Sequence, residues 1–257
     1  MKDIAIGIRT FLRDQHLFEC IDGIRTNLSD AQMIIIDDGR MTPYKNGLYT
    51  SLARCGHTIA HLPFDSGFGA KSNTMTYSLS RKYVLVGSDD FDFRPAAVRE
   101  GIERLQEILD YFPEVSIASG RVGNRAYEFD LLETRPGEFL EVKIDYSTYD
   151  IFRPWFTECD LTVNYSLIRR EVFEKVRWDA EVRIGGGEHA AFFIDCMRAG
   201  LKTVWVPGVN INELQIRNSR EYNSYRNRAD SKERPCFQKR GIKRYTLANG
   251  QIDYEEK

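Results

Sequence analysis

Two short apolar runs in the first ninety residues stop on carboxylates. "MIIID" (Met33–Asp37) leads into Asp37, Asp38 and Gly39, and "YVLV" (Tyr83–Val86) leads through Gly87 and Ser88 into Asp89, Asp90 and Asp92. Unbroken runs of this kind suit strands buried on both faces of a parallel sheet rather than half-exposed ones. A buried strand cannot continue through adjacent charges, so each acid cluster marks a carboxyl end. In α/β sheets that edge is where ligands bind.

The rest of the first half fits the same plan. "IAIGI" (Ile4–Ile8) is a first strand, and Leu17, Ile21, Ile24 and Leu28 follow at helical spacing. "HTIAHL" (His57–Leu62) reads as a third strand, Ser72–Ser80 as a helix and "VSIASGRV" (Val115–Val122) as a further strand. Between them, Pro95 stands at a helix N1 position, and Val98, Ile102, Leu105 and Ile108 mark the apolar face. The expected fold is α/β: one mixed, mostly parallel sheet with helices on both faces, ending in an irregular C-terminal segment.

Downstream, residues 124–149 mix charges and turn residues in the manner of hairpins or an insertion, and Glu188–Ala199 is an amphipathic helix closed by Gly200. The sequence divides into residues 1–216, the main domain, and 217–257, a lid or tail of the same domain. From Arg217 to Arg244 there are ten Lys/Arg against three acids. The 257 residues carry a formal net charge of -2, which favours no partner class. Five cysteines without a CxxC pair read as buried free thiols in a reducing compartment. No apolar run reaches the ~20 residues needed to span a bilayer, and the N-terminus is a poor signal peptide. The expectation is a cytoplasmic protein without a transmembrane segment.

Three adjacent carboxylates repel one another and raise one another's pKa. A divalent cation removes that cost; Mg²⁺ or Mn²⁺ suits oxygen ligands, using one or two carboxylates and taking the rest from phosphate and water. The triplet therefore fits a metal–diphosphate site. The alternative is that Asp92 caps the helix near Pro95 while Asp89 and Asp90 face solvent.

Taken in order, "IAIGIRTFLR", "IIIDDG", "GFGAKSN" and "YVLVGSDDFDF" resemble the N-terminal half of GT-A glycosyltransferases of the family 2 type. "RREVF", "GGGEHAAFFIDCMRAG" and "VWVP" resemble that family's acceptor-side block. Nearest in motif are the β-1,4-N-acetylgalactosaminyltransferases, which share "GEH" and the phenylalanine pair. The resemblance covers roughly residues 3–210. It implies a metal-dependent enzyme that moves a sugar from a nucleotide-diphosphate donor, a UDP-sugar, to an acceptor hydroxyl with inversion.

Site residues follow from the resemblance. Arg9, Thr10, Asp37 or Asp38, Lys71, Asn73 and Asp89 would bind the donor nucleotide. The metal, Mn²⁺ or Mg²⁺, would rest on Asp90. The motif can be registered as Ser88-Asp89-Asp90 or as Asp90-Phe91-Asp92, and Asp92 is a ligand only in the second. Glu188 would be the catalytic base, with His189 second and Asp195 third. Trp178 and Asp179 would shape the acceptor or sugar subsite, and Gly185–Gly187 would let backbone approach the donor sugar.

One departure is His189, where the commonest family pattern has an Asp. Another is the absence of a His after "VP": Asn212 and Glu213 stand there instead, leaving the third metal ligand open. The acceptor would be a glycan or a lipid-linked sugar. The basic segment leaves two further readings, a lid over the diphosphate or a surface for nucleic acid, the latter in a nucleic-acid-modifying transferase or a non-catalytic binder.

Overall fold

A computed structural model describes residues 1–125, 127–144, 156–183, 187–227 and 234–256. Its first half is laid out as β1 (Ile4–Thr10), α1 (Asp14–Asn27), β2 (Gln32–Asp37), α2 (Pro43–Arg54), β3 (Thr58–His61), α3 (Phe68–Tyr77), β4 (Tyr83–Ser88), β5 (Phe91–Asp92), α4 (Ala96–Tyr111) and β6 (Val115–Val122). The second half contains β7 (Phe129–Arg135), β8 (Glu138–Lys143), β9 (Thr157–Cys159), β10 (Ser166–Arg169), α5 (Val172–Lys175), α6 (Glu188–Arg198), β11 (Lys202–Glu213), α7 (Arg220–Arg226), α8 (Pro235–Gln238), β12 (Arg244–Thr246) and β13 (Ile252–Glu255).

Among the described residues nine strands form one sheet in the order β3-β2-β1-β4-β10-β6-β11-β5, with β9 also on β11. β1, β2, β3 and β4 are mutually parallel, β10 runs antiparallel between β4 and β6, and β6 and β11 are parallel again. The mixed, mostly parallel sheet expected from the sequence is therefore present.

Side-chain alternation then builds two cores. Ile4, Ile6, Ile8, Met33, Ile35, Tyr83 and Leu85 pack toward α1, α2 and α4. Ala5, Ile34, Ile36, Val84 and Val86 point to the other face, toward α3, α5, α6 and α8. Both faces are covered, which is why these strands lack polar alternation.

Several boundaries differ from expectation. α2 has too thin an apolar face to stand out: its buried residues are Lys45, Tyr49 and Leu52, and its start is set by Thr42, whose hydroxyl accepts from Lys45 N at 3.2 Å, with Pro43 following. α3 begins four residues before Ser72, at Phe68, behind Gly67 at φ 96°. Pro95 is the cap of α4 rather than its first residue. β11 continues past Pro207, with its register shifted between Trp205 and Asn210, and ends at Glu213. Cys55 is exposed; the other four cysteines are buried and all five are free.

The C-terminal segment is not irregular where it is described. β12 joins β8 in parallel and β13 joins β12, so the hairpin β7–β8 and the chain's end share a second sheet, ordered β13-β12-β8-β7. Cys236, Phe237, Ile242 and Tyr245 are buried in the same core as α6. Among the described residues no helix is long and apolar enough to cross a membrane.

Candidate active site

The parallel register sets the floor of the site. Thr10 pairs with Asp37 across β1 and β2, and Arg9 pairs with Ser88 across β1 and β4, so the acid clusters flank the end of β1. Arg9 is buried, donating to Ser72 Oγ at 3.0 Å and to the Gly87 carbonyl at 3.1 Å, with its guanidinium over the Phe68 ring. Burial lowers its pKa to about 10, opposed by Glu188, Asp89 and Asp90. Arg9 thus links these three carboxylates electrostatically from beneath the cleft.

Beyond β1 the chain turns through Leu12 at φ 53° and presents Arg13 to the second acid cluster. Arg13 Nη1 lies 2.8 Å from Asp90 Oδ2, Nη2 pairs with Asp89 Oδ1, and Nε reaches Asp89 Oδ2 at 3.3 Å. Burial alone would lower the Arg13 pKa, but Asp89 and Asp90 outweigh it and hold it raised. Burial raises the Asp89 pKa, with Asp90 adding to it and Arg13 opposing. Against the opposing effect of desolvation, Asp90, half-buried, is held below the ordinary carboxylate value by Arg13 and Ser88. Its Oδ1 is buried and has no hydrogen-bond partner among the described residues.

Asp92 turns away from this group. Arg94 clamps it through N, Nε and Nη2 at 3.1, 2.7 and 2.9 Å, which lowers its pKa, and β5 aims it at a separate hollow beside Asn212 and Glu213. The cleft takes Ser88, Asp89 and Asp90, not the Asp90-Phe91-Asp92 spacing; Phe91, between them, is a core residue at 1% exposure. No group of three or more His, Cys, Asp or Glu among the described residues is placed to hold a metal ion. Glu213 pairs with Arg125 instead.

The first acid cluster is fully occupied. Asp37 accepts from Gly39 N at 2.8 Å and Tyr49 Oη at 2.7 Å, and pairs with Lys45 at 2.9 Å. Asp38 accepts from Lys71 Nζ at 2.6 Å and Gly67 N at 2.8 Å. None of Asp37, Asp38 and Thr10 lines the cleft, whereas Lys71 does, bonded also to the Thr10 carbonyl at 3.2 Å. The glycines of "GFGAKSN" serve packing: a Cβ on Gly69 would collide with the Asp179 carbonyl, and one on Gly67 would meet Arg183 at 2.6 Å. Asn73 clamps the Trp178 backbone, donating to its carbonyl at 2.9 Å and accepting from its N at 3.1 Å.

Trp178 is core, 5% exposed and stacked on Phe192 with centroids 4.2 Å apart. Asp179 pairs with Lys239 and Arg240. Neither lines a cavity at the site, so the subsite expected around them is filled by protein. Gly187 is left-handed at φ 78°. Its open side is taken by Arg234 and Phe237, each 2.9 Å from where a Cβ would stand, rather than by the space above the acid cluster after β4. Gly185 and Gly186 lie outside the described residues.

The cleft itself measures about 760 Å³. Its walls carry Asp89, Asp90, Glu188 and Glu213, the cations Arg9, Arg13, Lys71, Arg125, Arg217 and Arg226, and the rings of Phe11, Phe68 and Tyr222. α7 brings two of these contacts: Tyr222 lies 4.9 Å from the Arg13 guanidinium, and Tyr225 packs on Phe11 at 5.3 Å. Arg13, Phe11 and Tyr222 escape a reading of the sequence because their partners lie 76 or more residues away or on another element. The one local hint is the position of Arg13 just after β1.

Glu188, the first residue of α6, lines this cleft and also a second cavity of about 490 Å³ that contains His189. The His189 Nε2 faces the Thr162 carbonyl and so donates to it; burial lowers the ring's pKa to about 4. Asp195 is held by Arg240 at 2.6 Å and lines neither cavity.

Four cations of the basic stretch are paired within the fold. Arg234 meets Asp253, Lys239 meets Asp179 and Glu181, Arg240 meets Asp195 and Asp179, and Arg244 meets Glu255. Arg217 and Arg226 face the cleft.

A doubly covered mixed sheet with a charged cleft at its carboxyl edge is the GT-A architecture, and solved structures of that class superpose on the chain. S. aureus TarS 1–349 in complex with UDP-GlcNAc matches with a TM-score of 0.60 at 10% identity, covering 88% of this chain and 62% of that one. Mannosyltransferase PcManGT from Pyrobaculum calidifontis, in complex with GDP-Man and Mn²⁺, matches at 0.56 and 13% identity, covering 87% and 59%. The chain has the GT-A fold. In sequence it is similar to β-1,4 N-acetylgalactosaminyltransferase 2 of Mus musculus, 30% identical over 223 residues, which is 83% of this chain. It is 27% identical to the Homo sapiens β-1,4 N-acetylgalactosaminyltransferase 1 over 201 residues, 75% of this chain. The matches span 39% and 35% of those two relatives. No protein-family model matches.

Proposed function

We propose that this chain is a glycosyltransferase that moves a sugar from a UDP-sugar to an acceptor hydroxyl, with inversion at the anomeric carbon. The observation that carries the reading is that Asp89, Asp90 and Glu188 share one cleft with six cations, of which Arg125 is paired with Glu213. A diphosphate needs cations, and a nucleophilic hydroxyl needs a base; both are available in this cleft. The UDP-GlcNAc complex of TarS and the naming of the sequence relatives support an N-acetylhexosamine donor.

In this reading the acceptor oxygen attacks the anomeric carbon, the bond from that carbon to the phosphate oxygen breaks, and Glu188 takes the hydroxyl proton. Arg13, Lys71, Arg217 and Arg226 meet the charge that grows on the departing diphosphate. Glu188 is preferred to His189 because the histidine's Nε2–H is committed to Thr162 and the ring lies outside the donor cleft. The Phe11 and Tyr222 rings suit the base and ribose end of the nucleotide.

A Mn²⁺ or Mg²⁺ ion, when bound, would screen the diphosphate; Asp90, through its unpartnered Oδ1, and Asp89 are the residues that would hold it. Calorimetric titration of UDP, GDP and dTDP with and without Mn²⁺, on wild type and Asp90→Ala, tests the assignment. UDP binding strengthened by Mn²⁺ in wild type only is expected. No nucleotide binding under any condition would overturn the function, and binding that ignores Mn²⁺ would overturn the metal alone. The internal pairing of four basic residues of the C-terminal segment, with two more turned to the cleft, favours this reading over a nucleic-acid surface.

A further inference from the structure

The second cavity lies on the far side of Glu188 from the donor cleft and is built from parts that the donor reading does not use. Phe129 is the first residue of β7 and Tyr127 lies just before it, while Leu247, Ala248 and Asn249 come from the turn between β12 and β13. Hydrogen bonds hold the walls together: Tyr245 Oη donates to Glu141 Oε1 at 2.8 Å, and Ala248 N donates to Glu141 Oε2 at 3.2 Å. Arg234 pairs with Asp253 on the same rim. The second sheet therefore shapes a pocket that meets the chemistry at Glu188, the residue both cavities share.

The lining states what the pocket accepts. Its volume, about 490 Å³, falls in the small-ligand range. Much of the wall is apolar or aromatic, which suits the C–H face of a sugar ring, while Asn249 and the carboxylates on the rim suit its hydroxyls. The Tyr127 hydroxyl has no hydrogen-bond partner among the described residues, and burial together with the fields of Glu141, Asp253 and Glu188 raises its pKa to about 12. It therefore stays a neutral donor and acceptor at the cavity. An anion seated there would face those three carboxylates; of the two cations, Arg234 is already paired and Lys143 is exposed.

We infer that this cavity seats the uncharged terminal sugar of the acceptor glycan, with its reacting hydroxyl directed at Glu188. The inference rests on the reading of the neighbouring cleft as the donor site. The covalent step is the one already described: the acceptor oxygen gains the anomeric carbon, Glu188 gains the proton, and the nucleoside diphosphate leaves.

The test is an array of immobilised glycans with neutral or acidic termini, probed in the presence of UDP with wild type, Ala248→Trp and Tyr127→Phe. Ala248→Trp fills the cavity, and Tyr127→Phe removes one hydroxyl while keeping the ring. Retention on a subset of neutral glycans is expected, falling at least tenfold in Ala248→Trp and severalfold in Tyr127→Phe. UDP affinity, measured separately by calorimetry, reports the donor cleft, and a wild type that fails there overturns the donor reading itself. With UDP binding intact, retention of acidic glycans only, of none, or of neutral glycans equally by all three proteins overturns the acceptor assignment. Should Ala248→Trp fail to fold, Tyr127→Phe decides alone.

Discussion

Asp37-Asp38 after β2 and Asp89-Asp90 after β4 are the same dipeptide at the ends of two strands that flank β1. In the first pair all four carboxylate oxygens are taken, by Gly39 N, Tyr49, Lys45, Lys71 and Gly67 N. In the second pair one arginine covers three oxygens, and the fourth, Asp90 Oδ1, is buried without a partner among the described residues. The first pair fastens α2 and α3 to the sheet. The second carries an unsatisfied atom at a cleft, which a protein retains at a cost in stability where a ligand completes it. Identity of sequence and of strand position therefore does not give identity of role; the long-range partners do.

Paired substitutions bear on that difference most strongly. Asp37→Ala leaves Lys45, fully buried, with Asp14 at 2.7 Å and the Arg40 carbonyl at 3.3 Å, and is expected to lower unfolding stability by about 3 kcal/mol in urea titrations. Asp90→Ala relieves a buried unsatisfied oxygen and leaves Arg13 on Asp89, so its stability should stay within about 1 kcal/mol of wild type while the Mn²⁺ dependence of UDP binding disappears. Equal destabilisation by both would erase the distinction.

A smaller effect sharpens the role of α6. Burial depresses the His189 pKa to about 4 from its ordinary 6.5. The unfolded chain therefore binds this proton first, and stability is lost as pH falls from 6.5 toward 4. Melting temperature should drop by roughly 2–6 °C over that window in excess of a His189→Asn variant, whose profile should be flatter. Smallest of all is Asp92→Asn: its carboxylate is tied to an exposed arginine outside the cleft, so UDP affinity should move less than about twofold. A large loss there would restore the Asp90-Phe91-Asp92 register.

The strands β1, β2, β4 and β6 and the helices α1, α4 and α6 are legible in the sequence because burial on one or both faces writes itself into local periodicity. α2 is not, since a lysine and a tyrosine that serve Asp37 occupy its buried face. The acid cluster after β4 is legible as a candidate site, but its register is not, because Arg94, two residues on, takes Asp92 away. The basic stretch misleads most: its charge looks free in sequence, yet Asp179, Asp195, Asp253 and Glu255 neutralise much of it across the fold. Trp178 reads as a subsite residue for a related reason. Nothing local distinguishes a tryptophan that meets a ligand from one stacked on Phe192.

Glu188 joins the two cavities, and a donor and an acceptor brought together there would share this one carboxylate. The most direct measurement is single-turnover sugar transfer by Glu188→Gln beside its calorimetric affinity for UDP with Mn²⁺. Removing a general base should slow transfer by about 10²–10⁴, with UDP affinity within a fewfold of wild type. Transfer at the wild-type rate by this variant would contradict the role assigned to Glu188 and, with it, the meeting of donor and acceptor at the start of α6.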